Sequence, residues 1–312
     1  MKSVDLSIIV PVYNEAGNIS RLDREIREAV LNLGSFEIIY VNDGSTDSSL
    51  AELKSLPVAT IIDLNRNYGQ ATALDAGFKA AKGTIIVSLD GDGQNDPRDI
   101  HLLLKKLKEN NLDVVAGWRK TRRDRAQIRI LTRIGRLMRR IMIGDIVHDS
   151  GCTLRVYTRE AVQSLDIGGE MHRYILALLK WKGFRIGEVV VNDRPRQMGK
   201  SKYGPSKMLR GFIDLVYIWF IHKYSQRPLH LFGYLSFISF IFTALAGFWT
   251  LYGKLILGLS LNRNGWFFIT FFFLLTSIIL FSFGIVIDLL IRIQLASSPH
   301  EKRYYIRETI IN

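Results

Sequence analysis

Two aspartates lie two residues apart in the stretch SLDGDGQNDP, residues 88–97, which follows an apolar run. Asp90 and Asp92 flank Gly91, and a glycine lets the backbone turn so that the two carboxylates converge. The carboxylates and the amide oxygen of Gln94 are hard oxygen ligands of the kind that Mg²⁺ or Mn²⁺ prefers. An ordinary Asp-Gly turn would have the same sequence. The position of this segment beside other acidic strand ends favours a metal site.

The elements that must position these acids are short β-branched runs separated by helix-like stretches. Four runs are LSIIVPVY, FEIIYVND, ATIIDLN and TIIVSLD, and DVVAGWR is a fifth. This alternation predicts an α/β fold with a mostly parallel sheet and helices on both faces. Ligands of such sheets bind outside the carboxyl ends of the strands. The polar segments PVYNE, NDGSTD, NRNYG and DGDGQ collect there, so we expect one site along this edge.

Asp43 ends the second run, where its carboxylate can accept hydrogen bonds from a ribose or a base. This position predicts a contact to a nucleoside, although the segment could also serve as a helix N-cap, a role that Ser45 or Thr46 would fill equally well. The stretch GDGQND lacks the third glycine of a dinucleotide fingerprint, and its acids would repel a pyrophosphate that no metal bridges.

The formal net charge of the 312-residue chain is +13, which indicates an anionic partner such as nucleic acid, lipid headgroups or a phosphorylated substrate. Cys152 is the single cysteine, so the chain has no internal disulfide and fits a reducing compartment.

Two long apolar runs, residues 229–252 and 266–287, are each long enough to cross a bilayer. A pair of buried core helices is the alternative, but both runs are apolar on all sides. Lys and Arg are concentrated before the first run and after the second, which predicts that both termini are cytoplasmic. We expect a cytoplasmic catalytic domain over 1–206, a juxtamembrane interfacial helix over 207–227, a transmembrane hairpin over 228–291 and a basic tail over 292–312.

Two smaller features of the hairpin follow from the same pattern. Trp249, Tyr252 and Trp266 are expected to form an aromatic belt at the far interface. Asp288 and Arg292 are one helical turn apart and are expected to pair near the cytoplasmic end.

Residues 122–144 have the pattern of a basic amphipathic helix. Arginines share one face and isoleucine, leucine and methionine share the other, which suits a helix lying in a membrane interface. Nucleic-acid binding and a solvated charged face are the alternatives, and the two apolar spans count against nucleic acid as a partner.

The segments SIIVPVYNE, VNDGSTDSS, LNRNYGQATALDAGF, LDGDGQNDP and RPRQMGKSKYG occur in the order and spacing of the family 2 glycosyltransferases. Over roughly residues 4–215 the chain most resembles the polyprenyl-phosphate sugar synthases, whose lipid is dolichyl or undecaprenyl phosphate. The resemblance implies a GT-A fold, a nucleotide-sugar donor and Mg²⁺ or Mn²⁺. It implies inverting transfer of a hexose from a donor of the UDP-glucose or GDP-mannose type to a membrane polyprenyl phosphate, as in a dolichyl-phosphate mannosyltransferase.

The resemblance also implies roles for individual residues. The nucleoside would contact Pro11, Tyr13, Glu15 and Asp43, and the metal and diphosphate would contact Asp90, Asp92 and Gln94. The acceptor phosphate would contact Arg119, Arg129, Thr132 and Arg133, although the register of the arginines in this segment is ambiguous. A loop carrying Arg196, Ser201 and Lys202 would close over the donor, and a basic stretch attracted to anionic lipid is the alternative.

Four residues are expected to act in catalysis: Asp92, Arg119, Asp149 and Arg196. Asp149 would orient the acceptor or stabilise positive charge on the sugar. The alternative is that its carboxylate only accepts hydrogen bonds within a turn. A processive polysaccharide synthase would share the donor site, but the chain has no QxxRW motif. A nucleotide-binding scaffold without activity is a further alternative, and a homo-oligomer is left open.

Overall fold

The structure is a computed structural model that describes residues 4–120, 126–168, 171–194, 205–224 and 227–297. Its strands are β1 (Leu6–Val12), β2 (Phe36–Asn42), β3 (Thr60–Asp63), β4 (Ile85–Ser88), β5 (Val114–Trp118), β6 (Arg155–Thr158) and β7 (Ile186–Val190). Its helices are α1 (Ile19–Val30), α2 (Ser49–Lys54), α3 (Gln70–Ala80), α4 (Ile100–Glu109), α5 (Ala126–Ile143), α6 (Arg159–Gln163), α7 (Ile175–Trp181), α8 (Pro205–Tyr224), α9 (Pro228–Leu255) and α10 (Gly265–Ser297).

The strands form one sheet in the order β3-β2-β1-β4-β6-β5-β7. Every neighbouring pair is parallel except those that include β6, which runs antiparallel to β4 and β5. The carboxyl ends of β1, β2, β4 and β5 therefore meet at one edge. This mostly parallel sheet confirms the predicted fold class, and the five predicted runs are β1 to β5.

The sheet has a hydrophobic core on each face, because successive side chains of a strand point to opposite sides. Ile8 packs in the core that contains Ile26 of α1. Ile9 packs in the other core, with Phe78 of α3. The helices on both faces hold β1 and β4 at the centre of the sheet, where their carboxyl ends are fixed in position.

Within the described residues the chain divides into two compact units after Leu215. The first unit contains the sheet, and α5 lies within the segment predicted as an amphipathic helix. The predicted juxtamembrane helix over 207–227 corresponds to α8, which begins at Pro205 and ends at Tyr224.

The second unit consists mainly of the antiparallel helices α9 and α10. The side chains that α9 buries are mostly small or polar. Ser236 Oγ donates to the carbonyl oxygen of Ser277 over 2.9 Å, and Thr250 and Thr270 share a hydroxyl contact of 3.1 Å. Gly284 permits the close approach of α9, because a Cβ at this position would lie 2.9 Å from the Cβ of Phe232. Small contacts of this kind are typical of helices that associate in lipid.

The outer faces of this helix pair carry large apolar side chains that are exposed. Pro228–Leu255 and Gly265–Ile293 are long and apolar enough to cross a membrane, and only 17% and 11% of their most apolar windows are buried. This exposure does not fit a pair of buried core helices. It indicates a membrane protein, in agreement with the predicted spans.

The two smaller predictions about the hairpin can be compared with the structure. Arg292 Nε donates to Asp288 Oδ2 over 2.6 Å, which confirms the predicted pair. The ring of Trp249 contacts Tyr252 and Trp266, with centroids 5.6 and 6.3 Å apart. The three aromatic residues are therefore gathered at one end of the hairpin.

Candidate active site

A cavity of about 240 Å³ opens at the carboxyl ends of β1, β2 and β4. Its lining includes Asp90 and Asp92 and the four residues predicted to contact the nucleoside: Pro11, Tyr13, Glu15 and Asp43. The parallel strands thus bring together six residues that are far apart in the sequence. Gln94 is not among the lining residues, although it lies in the same tight loop after β4, residues 90–96, which we call the acidic hairpin.

The acidic hairpin after β4 has a turn that depends on glycine. Gly93 has a φ of +71°, in the left-handed region that side chains disfavour. Gly91 has a different role, because a Cβ there would lie 3.0 Å from the carbonyl oxygen of Pro11. Gly91 lies in the turn that was expected there and allows close packing on β1, and Gly93 adds the left-handed residue that follows it.

Hydrogen bonds fix the shape of this hairpin from both ends. Asp92 Oδ1 accepts from the backbone N–H of Gln94 over 3.0 Å. The side chain of Asn95 accepts from the backbone N–H of Asp90 over 3.2 Å and from Thr153 Oγ1 over 3.0 Å. Asn95 thus joins the acidic hairpin to the loop before β6, a role that its place in the DGDGQND stretch did not reveal.

The two aspartates carry like charges in a poorly solvated place. Burial, and then the charge of Asp92, raise the pKa of Asp90 to about 6. A hydrogen bond with Thr153 and the charges of Arg119 and Arg155 oppose this rise in the pKa without cancelling it. Gln70 Nε2 also donates to Asp90 Oδ1 over 2.6 Å. Two neighbouring carboxylates that repel each other, Asp92 buried and Asp90 half-buried, fit a site for a divalent cation, whose charge would favour both ionised forms.

The oxygen donors also fit Mg²⁺ or Mn²⁺ in number and chemistry. Within the described residues, no three side chains of His, Cys, Asp or Glu converge as a preformed metal cluster. The protein would therefore supply the carboxylates of Asp90 and Asp92, and phosphate oxygens and water would complete the shell, as is usual for Mg²⁺.

Asp43 is almost fully buried at the end of β2. Its Oδ1 accepts from the backbone N–H of Tyr68 over 2.7 Å, and its Oδ2 accepts from that of Gly69 over 2.9 Å. These bonds hold the segment before α3 against the cavity. Each carboxylate oxygen has a further lone pair, so a contact to a nucleoside remains available.

The second part of the site is an ion pair at the end of β5. Arg119 Nε donates to Asp149 Oδ2 over 2.8 Å, and Arg119 Nη2 donates to Oδ1 over 3.2 Å. Both side chains are only 11% exposed. Burial opposes the charge of Arg119, but the hydrogen bonds and charge of Asp149 outweigh it and raise the pKa of Arg119. The predicted acceptor ligand and the predicted catalytic aspartate are therefore direct partners.

Sequence reasoning did not identify Arg155, which supports the loop that carries Asp149. Arg155 is 2% exposed. Its guanidinium donates to the carbonyl oxygens of Ser150 and Cys152 over 2.7 and 2.8 Å, and to that of His172 over 3.3 Å. A buried arginine in a four-residue strand has no distinctive sequence pattern, so the only signal was a charge inside a β-branched run.

The remaining predicted residues cannot be placed by their side chains. Arg196, Ser201 and Lys202 lie outside the described residues. Arg129, Thr132 and Arg133 lie on α5, of which the structure describes the backbone at these positions.

The sequence was compared with protein families and with curated proteins. The sequence model of Glycosyl transferase family 2 matches residues 7–166. The chain is 33% identical over 304 residues to a dodecaprenyl-phosphate galacturonate synthase of Rhizobium johnstonii, covering 94% of this chain and 89% of that protein. It is 34% identical over 269 residues to an undecaprenyl-phosphate 4-deoxy-4-formamido-L-arabinose transferase of Pseudomonas syringae pv. syringae, covering 84% and 78%.

The fold was compared with solved structures. Glucosyl-3-phosphoglycerate synthase from Mycobacterium tuberculosis in complex with Mn²⁺, UDP and glucosyl-3-phosphoglycerate has a TM-score of 0.53 and 19% identity, covering 69% of this chain and 80% of that chain. The complex of that enzyme with Mg²⁺ and UDP has a TM-score of 0.51 and 18% identity, covering 69% and 79%. At this identity the likeness concerns the fold, and it confirms the expected GT-A architecture.

Proposed function

We propose, from the premise that this chain belongs to glycosyl transferase family 2, that it catalyses one transfer reaction. It transfers a sugar from a nucleotide diphosphate to a polyprenyl phosphate. The supporting observation is that the acidic cavity and the Arg119–Asp149 pair lie at the same edge of the sheet. The first offers a place for a metal-bound diphosphate, and the second offers a cation for a phosphate acceptor.

On the donor side, Pro11, Tyr13, Glu15 and Asp43 contact the nucleoside, and Asp90 and Asp92 hold the metal, with Gln94 beside them. Mg²⁺ or Mn²⁺ supplies positive charge that stabilises the leaving diphosphate. The buried carboxylates fix where that charge is placed, and the hairpin that carries them is already ordered by its own hydrogen bonds.

On the acceptor side, a lipid phosphate is already anionic at neutral pH, so its oxygen attacks without a strong general base. Arg119 holds this phosphate, and Asp149 orients Arg119 and faces the positive charge that develops on the sugar. Attack in line with the leaving diphosphate inverts the anomeric centre. We assign further phosphate contacts to Arg129, Thr132 and Arg133 on α5, and closure over the donor to Arg196, Ser201 and Lys202.

The membrane supplies the second substrate. In the described part of α5, Leu137 and Ile141 are 58% and 74% exposed, and Arg136 and Arg140 are exposed beside them. Exposed apolar and basic side chains on one helix suit an interface with anionic lipid. We place the catalytic domain (1–206) and both termini on the cytoplasmic side, with the interfacial helix over 207–227, the hairpin over 228–291 and the basic tail over 292–312.

For the sugar we propose a hexose or a hexuronate on UDP or GDP. The support is the relative from Rhizobium johnstonii, whose match covers 94% of this chain and whose name specifies galacturonate. The relative of Pseudomonas syringae, named for a formamido-arabinose, matches less of the chain.

The test is a panel of nucleotide sugars with the full-length protein in lipid nanodiscs. Each reaction contains Mn²⁺, undecaprenyl phosphate and UDP- or GDP-linked glucose, mannose, galacturonate or 4-deoxy-4-formamido-L-arabinose. We expect one donor to give a lipid-phosphate sugar and to release its nucleotide only when the lipid phosphate is present. Growing glycan without the lipid would instead favour a processive synthase, and no release with any donor would contradict the proposal.

A further inference from the structure

Glu188 on β7 lies outside every motif of the donor and acceptor sites, yet its carboxylate is bound to the loop that carries Asp149. Oε1 accepts from the backbone N–H of His148 over 2.7 Å, and Oε2 contacts the ring Nδ1 of His148 over 2.8 Å. The Glu188 side chain is 15% exposed. One carboxylate therefore restrains both the backbone and the ring of the residue that directly precedes Asp149.

The His148 ring is restrained on its face as well. It stacks on Trp118, with ring centroids 4.3 Å apart and an angle of 17° between the planes. Trp118 is the last residue of β5 and directly precedes Arg119. β5 and β7 are paired, with Ala116 opposite Glu188.

Two contacts thus join the same two chain segments side by side. Trp118 meets His148, and the next residues, Arg119 and Asp149, form the bidentate ion pair. The stack and the ion pair therefore hold adjacent residues of both segments, so a shift of His148 moves Asp149 with it.

We propose that Glu188 is a positioning residue for Asp149 and Arg119, acting through His148 and its stack on Trp118. The inference rests on the proposed function only for its kinetic readout. Glu188 itself touches no reacting group. Its role is geometric: it supplies an acceptor for the backbone N–H of His148 and a partner for the ring, and so sets the place at which the acceptor phosphate meets Arg119.

The variant Glu188→Ala removes both contacts, whereas Glu188→Gln can keep them. The glutamine carbonyl accepts from the backbone N–H, and its NH₂ donates to Nδ1 of a neutral ring. Asp113→Ala is the matched control. The Asp113 side chain is 16% exposed, much like that of Glu188, and accepts from the backbone N–H of Arg185 over 2.7 Å. It thus joins the residues that precede β5 and β7, at the end of these strands away from Asp149.

The kinetic experiment uses the full chain in nanodiscs with the donor that the panel identifies. We expect Glu188→Ala to lower kcat by about 10- to 100-fold, the size of effect that a displaced reacting group produces. The affinity for Mn²⁺ with the nucleoside diphosphate of that donor, measured by calorimetry, should change less than about twofold, because the donor hairpin is untouched. Glu188→Gln and Asp113→Ala should each stay within about threefold of the wild-type kcat.

A second measurement is independent of activity. Gly151 N–H donates to Asp149 Oδ1, and Cys152 N–H donates to the carbonyl oxygen of Asp149. In Glu188→Ala, hydrogen exchange at these two amides should accelerate by about tenfold or more, because opening of this loop becomes easier. Asp113→Ala should leave their exchange unchanged.

Three results would overturn the proposal: unchanged exchange at both amides in Glu188→Ala, an equal loss of kcat in Asp113→Ala, or a loss in Glu188→Gln as large as in Glu188→Ala. The last would show that charge matters rather than placement. Should the wild-type protein make no glycolipid from any donor, the proposed function fails, while the exchange measurement still decides the role of Glu188.

Discussion

The candidate site has two halves, one proposed to bind the donor (the donor half) and one proposed to bind the acceptor (the acceptor half). They differ in how their charges are balanced. In the donor half, Asp90 and Asp92 bring like charges together, and the pKa of Asp90 is raised to about 6. In the acceptor half, Arg119 and Asp149 are opposite charges that pair through two hydrogen bonds. Both halves lie at one edge of the sheet, so the contrast comes from side chains and not from their place in the fold.

This difference determines what each half can bind. The donor half is electrostatically incomplete, and a divalent cation with a diphosphate would complete it. In the acceptor half the charge of Arg119 is already offset by Asp149, and Asp193 Oδ1 lies 4.0 Å from Arg119 Nη1, so an incoming phosphate must share Arg119 with carboxylates. Substitutions that alter charge should therefore affect ion binding in the first half and fold stability in the second.

The largest effect is expected from Asp92→Asn, a substitution that hardly changes volume. Losing one of two metal carboxylates should lower kcat/KM for the donor by about 10²- to 10³-fold, since a catalytic metal contributes several kcal/mol. Mn²⁺ should bind at least about tenfold more weakly, as measured by calorimetry. The control is Asp166→Asn, because the Asp166 side chain is 82% exposed. Unchanged Mn²⁺ affinity in Asp92→Asn would contradict the metal assignment.

The acceptor half should respond differently to Arg119→Met. This change leaves the carboxylate of Asp149 buried without its cation, which should lower the free energy of unfolding by about 3 kcal/mol and activity by about 10- to 100-fold. The double variant Arg119→Met/Asp149→Asn should regain most of the stability but none of the activity. Thermal unfolding in detergent and glycolipid formation measure the two outcomes. If the double variant were as unstable as the single one, the pair would not be balanced as described.

The pH dependence separates the halves further. Below about pH 6 a proton on Asp90 competes with the cation, so Mn²⁺ affinity should be about tenfold weaker at pH 5 than at pH 7. Asp90→Asn should remove this dependence. An affinity in the wild-type protein that is flat between pH 5 and 7 would show that Asp90 is not a ligand.

As the pH rises, the contribution of Asp90 to the free energy of unfolding should change in the direction opposite to the Mn²⁺ affinity. Because the folded pKa of Asp90 is raised from 3.8, the metal-free folded state binds the proton more tightly than the unfolded chain. Without metal, this group should therefore lower the unfolding free energy as the pH rises from about 4 to 6, by about 3 kcal/mol at most. The stabilisation by Mn²⁺ should grow over the same range.

Most of the fold was predictable because β1 to β5 have strong local signals. Their runs are β-branched, and turn residues follow them. β6 and β7 were not predicted. β6 has four residues and begins with a charge, and β7 contains a glycine and a glutamate, so neither has the apolar pattern of a buried strand. Both become strands because β4 and β5 offer them edges to pair with.

The same contrast applies to the site. The acids of the donor half were predictable because they lie close together in the sequence and follow a strand. The connections in the acceptor half were not. Glu188 acts from 40 residues away on the loop that carries Asp149. Arg155 is near this loop in the sequence, but its burial beneath the loop is set by the surrounding fold. Such contacts are set by tertiary packing, which a single sequence does not display.

The smallest effect on activity should come from a substitution on the exposed surface of α5. It should change the KM for the lipid and leave donor binding unchanged. Ile141 is 74% exposed, so Ile141→Ser costs the fold little while removing apolar area that would face the bilayer. We expect a two- to fivefold rise in KM for undecaprenyl phosphate, about 1 kcal/mol or less, with the affinity for Mn²⁺ and the donor's nucleoside diphosphate unchanged. Val58→Ser is the control, because Val58 is 73% exposed but lies between α2 and β3. An equal rise in both variants would indicate that any added hydroxyl on the surface has this effect, and would contradict contact of α5 with lipid.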